Sequence, residues 1–246
     1  MLNSLQLSFF KAQVPHLDTP QDHAFFATMY KFASKHNIKY ILTGGNYSTE
    51  CVRNPIEWMY YQTDSIQLRD IYKNHGTGKL KDYPVTNILW HKIYLPYFRG
   101  IKMTRPLDYF PYNKNNATKL LVEKFEFQEY PQKHFESRFT RFYESYWLPK
   151  RFGYDTRKVQ YSSLILTNQM KRDEALKLLK NPAYDSETIN QDIEFVANKL
   201  GIQISELDSY MNQELKTYKD YRSQESIYKI GAFFMNILGL EKGGKR

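Results

Sequence analysis

Two short stretches gather the side chains that could do chemistry. The first is Thr43-Gly44-Gly45-Asn46-Tyr47-Ser48-Thr49-Glu50. Two glycines remove the Cβ barrier to positive φ and let backbone N–H groups approach an anion. Asn46, Ser48 and Glu50 then offer an amide, a hydroxyl and a carboxylate within one turn. The plainer interpretation is a strand-to-helix turn, with glycine for geometry and Ser48 as a helix cap. The second stretch is Lys133-His134-Phe135-Glu136-Ser137-Arg138-Phe139-Thr140-Arg141-Phe142. From Lys133 to Lys158 there are seven basic residues against three acidic. On a helix Arg138 and Arg141, three apart, are neighbours, and a fork of guanidinium groups suits a polyphosphate. Lys133 and His134 stand just before that helix, at its positive dipole end. The plainer interpretation here is a solvated basic face.

The elements that must hold these residues follow from the pattern around them. Apolar residues Ile38–Leu42 run up to the glycine pair, as a buried parallel strand ends in a ligand-facing loop. Helices are expected over 2–12, broken at Pro15, and from about Asp22, as its cap, to Asn37. Further helices are expected over 64–75, stopped by Gly76, over 85–98 with an interruption at Pro96, and over 113–127. Ile101–Thr104 is a second strand, ending in the loop Arg105-Pro106-Leu107. From Glu136 onward the chain reads as helical, over 136–148, 159–168, 172–180, 188–200 and 206–211. Phe135, Phe139, Phe142 and Tyr146 form a core stripe, and Ser205 with Asp208 a capping box. The division expected is an α/β part over 1–112, a helical subdomain over 113–225 and a terminal helix with a basic tail over 226–246. The apolar run Ile230–Leu240 reads as a terminal helix docked on the body. The alternative is a membrane-surface helix with a basic end.

Composition bounds the partners. The net charge of +9 favours anions without choosing among nucleotides, nucleic acid and acidic lipid. A single cysteine, Cys51, excludes an internal disulfide framework and fits a reducing cytoplasm. No signal peptide is visible, and no stretch reaches the roughly 18–20 apolar residues of a membrane span. His16, His23, His36, His75 and His91 lack metal-site spacing, so no metal ligands are assigned.

Longer stretches resemble a known family, the N-acetyl sugar amidotransferases of lipopolysaccharide and flagellin-sugar biosynthesis (the WbpG type), within the PP-loop ATP pyrophosphatase superfamily. The matching segments are Val14–His16 with Gln21–Phe26, Ile38–Asn46, Lys102–Leu107 with Pro111-Tyr112, Lys133–Thr140 and Leu148–Asp155, with likeness continuing to about Tyr221. Thr43–Glu50 also resembles the Gly-Asn-Ser-Glu loop of NAD synthetases. The family's Ser-Gly-Gly-x-Asp-Ser phosphate loop and its N-terminal cysteines have no counterpart here. The chain thus resembles the C-terminal portion of such an enzyme, as a truncated frame, a split gene or a late start would give.

The resemblance implies an α/β fold, the C-terminal part of a HUP-like (Rossmann-like) parallel-sheet domain followed by a helical subdomain. It implies ATP and Mg2+ as cofactors, and conversion of an acetamido group of a free or nucleotide-linked N-acetyl sugar to an acetamidino group. Glutamine-derived ammonia would come from a glutaminase through an ammonia-channelling, cyclase-like partner. ATP contact is carried onto Thr43, Gly44, Gly45, Asn46, Ser48 and Glu50. Phosphate or substrate contact is carried onto Lys133, His134, Arg138 and Arg141, with Glu136 positioning a substrate hydroxyl or the ammonia. Competing interpretations are a non-catalytic scaffold of the same fold, a basic RNA-binding module and a membrane-surface protein; no RNA-binding signature is present, and no nucleic acid is expected.

Overall fold

Pro20 decides where the second helix begins. The computed structural model describes residues 2–130, 132–237 and 239. In it α1 (Leu2–Lys11) is followed by α2 (Thr19–Lys35), which starts three residues ahead of Asp22. Proline's fixed φ suits the first helical turn, so Pro20 is taken in there and Asp22 lies inside the first turn, not at the cap. Asn37, at φ 56°, turns the chain into β1 (Tyr40–Leu42), and α3 (Tyr47–Glu50) follows at once. The side chain of Asp64 accepts from the N–H groups of Ile66 and Gln67 and so caps α4 (Ser65–His75). A π-helix over Trp90–Phe98 runs through Pro96, which therefore does not interrupt it; the wider helix suits a residue without an N–H.

β2 (Lys102–Thr104) leads to a 3-10 turn, Pro106–Tyr109, and to α5 (Lys114–Phe125), capped by Asn113. The segment expected as one helix over 136–148 is three joined pieces. These are α6 (Arg138–Phe142), a π-turn (Tyr143–Trp147) and α7 (Leu148–Phe152). Gly153, at φ 72°, ends them by donating to Pro149 O while Tyr154 N–H reaches Leu148 O. Then come α8 (Arg157–Leu166), α9 (Arg172–Leu179), α10 (Ser186–Leu200, capped by Asp185), α11 (Ile204–Met211) and α12 (Glu225–Ile237). Because α11 begins at Ile204, Ser205 and Asp208 lie inside it, not at a capping box.

The chain divides into two units that interleave in sequence. The first holds 1–37, 55–100 and 208–246. Its core joins Leu5, Phe9 and Phe10 of α1 to Leu68 and Ile71 of α4. Buried Asp64 ties this unit together, accepting Tyr60 OH at 2.8 Å and Gln224 N–H at 2.6 Å besides capping α4. Four histidines here make side-chain hydrogen bonds: His16 to Gln67, His23 to Gln62 O, His75 to Tyr221, and His91 to Thr86.

The second unit holds 38–54 and 101–207. Its core is the inner face of α6, the π-turn and α7 (Phe139, Phe142, Tyr143, Trp147, Leu148) with Ile189, Val196 and Ala197 of α10. Phe135 and Tyr146 reach that core only in part. The sheet is two parallel strands with the register Tyr40↔Lys102, Ile41↔Met103 and Leu42↔Thr104. The structure is thus mixed and helix-rich with a small parallel sheet. The buried strand expected at 38–42 is corrected: Tyr40 is 65% and Leu42 70% exposed. Among the described residues no further strand and no helix layer covers that face.

A docked terminal helix is corrected as well. Tyr228 of α12 stacks on Tyr61, 3.7 Å between ring centroids, and bonds Thr63 through its hydroxyl. From Ile230 onward the large apolar side chains described are exposed. The expected continuation of the run through 238–240 and the basic tail 241–246 lie, apart from Gly239, outside the described residues.

Candidate functional site

Parallel strands place their C-terminal ends side by side, so the loops that follow them must meet. Here Thr43 N–H bonds Thr104 O at 3.0 Å, which brings Gly44-Gly45-Asn46 against Arg105. The packing around Gly45 shows how close. A Cβ there would stand 3.4 Å from Glu50 Oε2, 3.4 Å from Thr43 Oγ1 and 3.7 Å from Arg105 Nε. Around Gly44 a Cβ would meet nothing within 4 Å. One glycine is therefore enclosed by polar side chains and the other faces open space.

The loop uses much of its own hydrogen-bonding capacity. Gly45 N–H donates to Thr43 Oγ1 at 3.1 Å, and Thr49 N–H to Asn46 Oδ1 at 2.9 Å. Tyr47 N–H donates to Asp108 Oδ1 at 2.6 Å. The cap of α3 is thus Asn46, not Ser48, because the residue before the helix has the extended backbone a cap needs. Ser48 lies within α3, where its carbonyl accepts from Thr167 Oγ1. Its hydroxyl has no hydrogen-bond partner among the described residues.

The two stretches singled out in sequence meet at one point. Lys133 Nζ lies 2.5 Å from Glu50 Oε1. His134 follows with φ 70°, a left-handed backbone that a non-glycine residue adopts at a local cost. Its Nδ1 is 3.8 Å from Glu136 Oε1. Partial burial and then the neighbouring Lys133 charge lower the His134 pKa. The result is a neutral imidazole beside an ammonium near pH 7, a group able to accept a proton or a hydrogen bond.

Arg138 and Arg141 turn to a different partner. Arg141 donates Nε to Asp192 Oδ2 at 2.6 Å and Nη2 to Oδ1 at 2.8 Å. Arg138 donates Nε to Asp192 Oδ1 at 3.0 Å and Nη2 to Gln191 O at 2.7 Å, with its guanidinium 4.4 Å from the Phe195 ring. The Asp192 side chain is fully buried. One carboxylate thus orients two guanidinium groups and offsets one of their two charges. Arg138, 43% exposed, keeps Nη1 without a bond among the described residues and is the more available of the two.

Three residues outside the expected set belong to this description. Arg105 and Asp108 follow β2, and pairing of the strand ends was the signal for them. Asp192 sits between Ile189 and Val196 on the buried face of α10, and an acid on an apolar stripe marks a buried ion pair. An anion such as ATP would find side-chain cations here, Lys133 and Arg105, more than free backbone N–H groups. These residues fit phosphate oxygens in that limited sense. Among the described residues no group of three or more His, Cys, Asp or Glu side chains is placed to hold a metal ion. Mg2+ would then have to be carried largely by the phosphates themselves.

Residues 136–235 match the family model described as LPS biosynthesis protein WbpG-like, C-terminal domain. The matched segment opens at Glu136 and takes in Arg138, Arg141 and Asp192, and it ends within α12. No curated protein and no solved structure matches the chain.

Proposed function

We propose that this chain takes part in an ATP-dependent amidotransferase reaction of lipopolysaccharide or related surface-glycan synthesis, converting the acetamido group of an N-acetyl sugar to an acetamidino group. The observation that carries the reading is the family match over 136–235, which supports the WbpG type. The Glu50–Lys133 contact adds to it by joining the glycine loop to the segment just before the match. The wider fold would be HUP-like, with the two-stranded sheet as part of a larger parallel one.

An amide oxygen is a poor leaving group, and ATP would supply the activation that makes it leave. In this reading Lys133 and Arg105 hold phosphate oxygens beside Gly44-Gly45, and Glu50 and Asp108 keep those two cations in place. Ser48 offers its hydroxyl from α3, directly after that loop. Neutral His134, with Glu136 at its Nδ1, would take a proton from the nitrogen once ammonia has added to the activated carbon, and the C–O bond would break with the oxygen leaving on the group transferred from ATP. Arg138 directs its remaining donor toward a substrate phosphate. The Ser-Gly-Gly-x-Asp-Ser loop has no counterpart among these residues, so the reading requires that loop from sequence outside them. Glutaminase and ammonia-channelling subunits would deliver the ammonia, in the cytoplasm.

A scaffold role has one observation in its favour: Arg138 and Arg141 both bind an internal carboxylate. Deleting the coding sequence and analysing the cell-surface glycan by mass spectrometry tests the proposal. Loss of acetamidino groups, with the acetamido sugar in their place, is expected; an unchanged glycan would sink it. Complementation with Glu50→Gln and Lys133→Met then separates the roles, since a scaffold would still restore the modification.

A further inference from the structure

We propose that α12 is a membrane-surface anchor whose stripe of Ile230, Phe233, Phe234 and Ile237 enters the headgroup region of an acidic phospholipid surface. The four positions are spaced i, i+3, i+4, i+7, which puts them on one face of a helix. All four are more than half exposed, from 57% at Ile230 and Phe234 to 64% at Ile237. The two phenyl rings meet edge to face at 5.9 Å, so they form a single apolar wedge. An exposed cluster of this kind on a helix marks a surface awaiting a partner.

Among the described residues the helix makes contacts at its first turns that leave the stripe clear. Its first turns are tied by Tyr228 stacked on Tyr61 and bonded to Thr63, and by Tyr218 OH donating to Glu225. Lys229 pairs with Glu225 at 2.9 Å yet keeps 72% of its side chain in water. That fixed base gives the stripe a defined direction of presentation.

Charge and length choose the occupant. The chain carries +9, and by sequence residues 241–246 add three basic side chains to one acidic right after the helix. Basic residues that follow an aromatic and aliphatic stripe in the sequence match an anionic interface, where charge draws the helix in and the apolar face holds it. An apolar protein groove would need no such charge. The described part of α12, 13 residues, is about 20 Å long, and by sequence the apolar run stops at Leu240 before Glu241, so it falls short of the about 30 Å hydrocarbon core and would lie on the bilayer and not cross it. Among the described residues no helix is long and apolar enough to span.

The test is co-sedimentation of the full chain with vesicles of phosphatidylglycerol and phosphatidylcholine, against phosphatidylcholine alone. Binding to the acidic vesicles is expected, weakening as salt rises. Phe233→Ser with Phe234→Ser should lower the partition constant at least tenfold and leave the melting profile unchanged, since both rings are exposed. A second variant, Lys242→Gln with Lys245→Gln and Arg246→Gln, should weaken binding with the stripe intact. Three results would overturn the proposal. They are a folded chain that ignores acidic vesicles, a double-serine variant that sediments like its parent, and a concentration-dependent dimer abolished by the serine substitutions. The last would assign the stripe to a second copy of the chain.

Discussion

Lys133 Nζ and Glu50 Oε1 stand 2.5 Å apart although 83 residues separate them. The pair joins the loop after β1 to the turn before α6. Both side chains keep about a third of their surface in water, 35% and 38%, so the Coulomb gain is screened. Its contribution to stability should be about 1 kcal/mol or less. Its effect on the proposed reaction should be larger, because a misdirected ammonium no longer meets a phosphate.

Lys133→Met and Glu50→Gln, singly and together, should therefore shift urea midpoints little. Each should lower turnover of the assembled system at least about tenfold, equivalent to about 1.4 kcal/mol. The double variant should lose little more than either single one. A stability loss of several kcal/mol with normal turnover per folded molecule would make the pair a structural tie.

Asp192 is the opposite case, a fully buried carboxylate with two guanidinium partners. Asp192→Ala should cost about 3 kcal/mol, the lower part of the range for a broken buried pair, since both arginines can still reach water. Arg141→Ala should cost more stability than Arg138→Ala, because Arg141 makes two of the three bonds to the carboxylate oxygens. Denaturation curves of the three variants decide this. If Arg138→Ala removes activity at unchanged stability, its free Nη1 faces a substrate; if both arginine variants change stability alone, the pair belongs to the core.

Local chemistry made much of this legible in the sequence. Helix starts at Asn113 and Asp64 and the existence of two short strands follow from caps and apolar runs, whereas the helical run expected to end at 148 continues to Phe152 and stops at Gly153. The Gly44-Gly45 loop and the Lys133 segment were identifiable by residue type, and their meeting at Glu50 was not, because it depends on tertiary register. Apolar residues at 38–42 implied burial, yet a strand is buried only if other elements cover it, and none does among the described residues. Arg138 and Arg141 looked like an anion fork because Asp192 lies about 50 residues away in sequence, beyond any local pattern.

The glycines separate in the same way, and only the surroundings tell them apart. A Cβ at Gly76 would fall 2.4 Å and 2.5 Å from two ring atoms of Tyr72 and 2.6 Å from its carbonyl oxygen. Gly76→Ala should therefore cost about 1–3 kcal/mol, the range for forced overpacking. Gly44→Ala, with open space around it, should leave the melting temperature almost unchanged. Thermal unfolding of the two variants side by side is the check, and equal shifts would contradict the packing described at Tyr72.

Acid should destabilise the chain through its buried histidines. Burial lowers His16 to about 4, with the Gln67 hydrogen bond only partly opposing it. Burial, and then His23 and Lys92, lower His91 to about 4. His23 is also lowered, chiefly by burial, and its Nε2 must stay unprotonated to accept Thr86 N–H while Nδ1 donates to Gln62 O. For each of these groups the unfolded chain binds more protons below about pH 6.5, so stability falls as pH falls toward 4. Asp22 works against them. Burial raises it to about 6, so its folded form holds a proton that the unfolded form has lost, and its contribution is lost as pH rises from about 4 to 6. Two histidines shifted that far, with His23 adding to them, outweigh one carboxyl, leaving a net slope of about 1 kcal/mol per pH unit. Urea midpoints measured between pH 7.5 and 5 should drop steadily, and His16→Asn should flatten the decline. A midpoint that is constant or rises on acidification would show that these histidines are not held neutral by the fold.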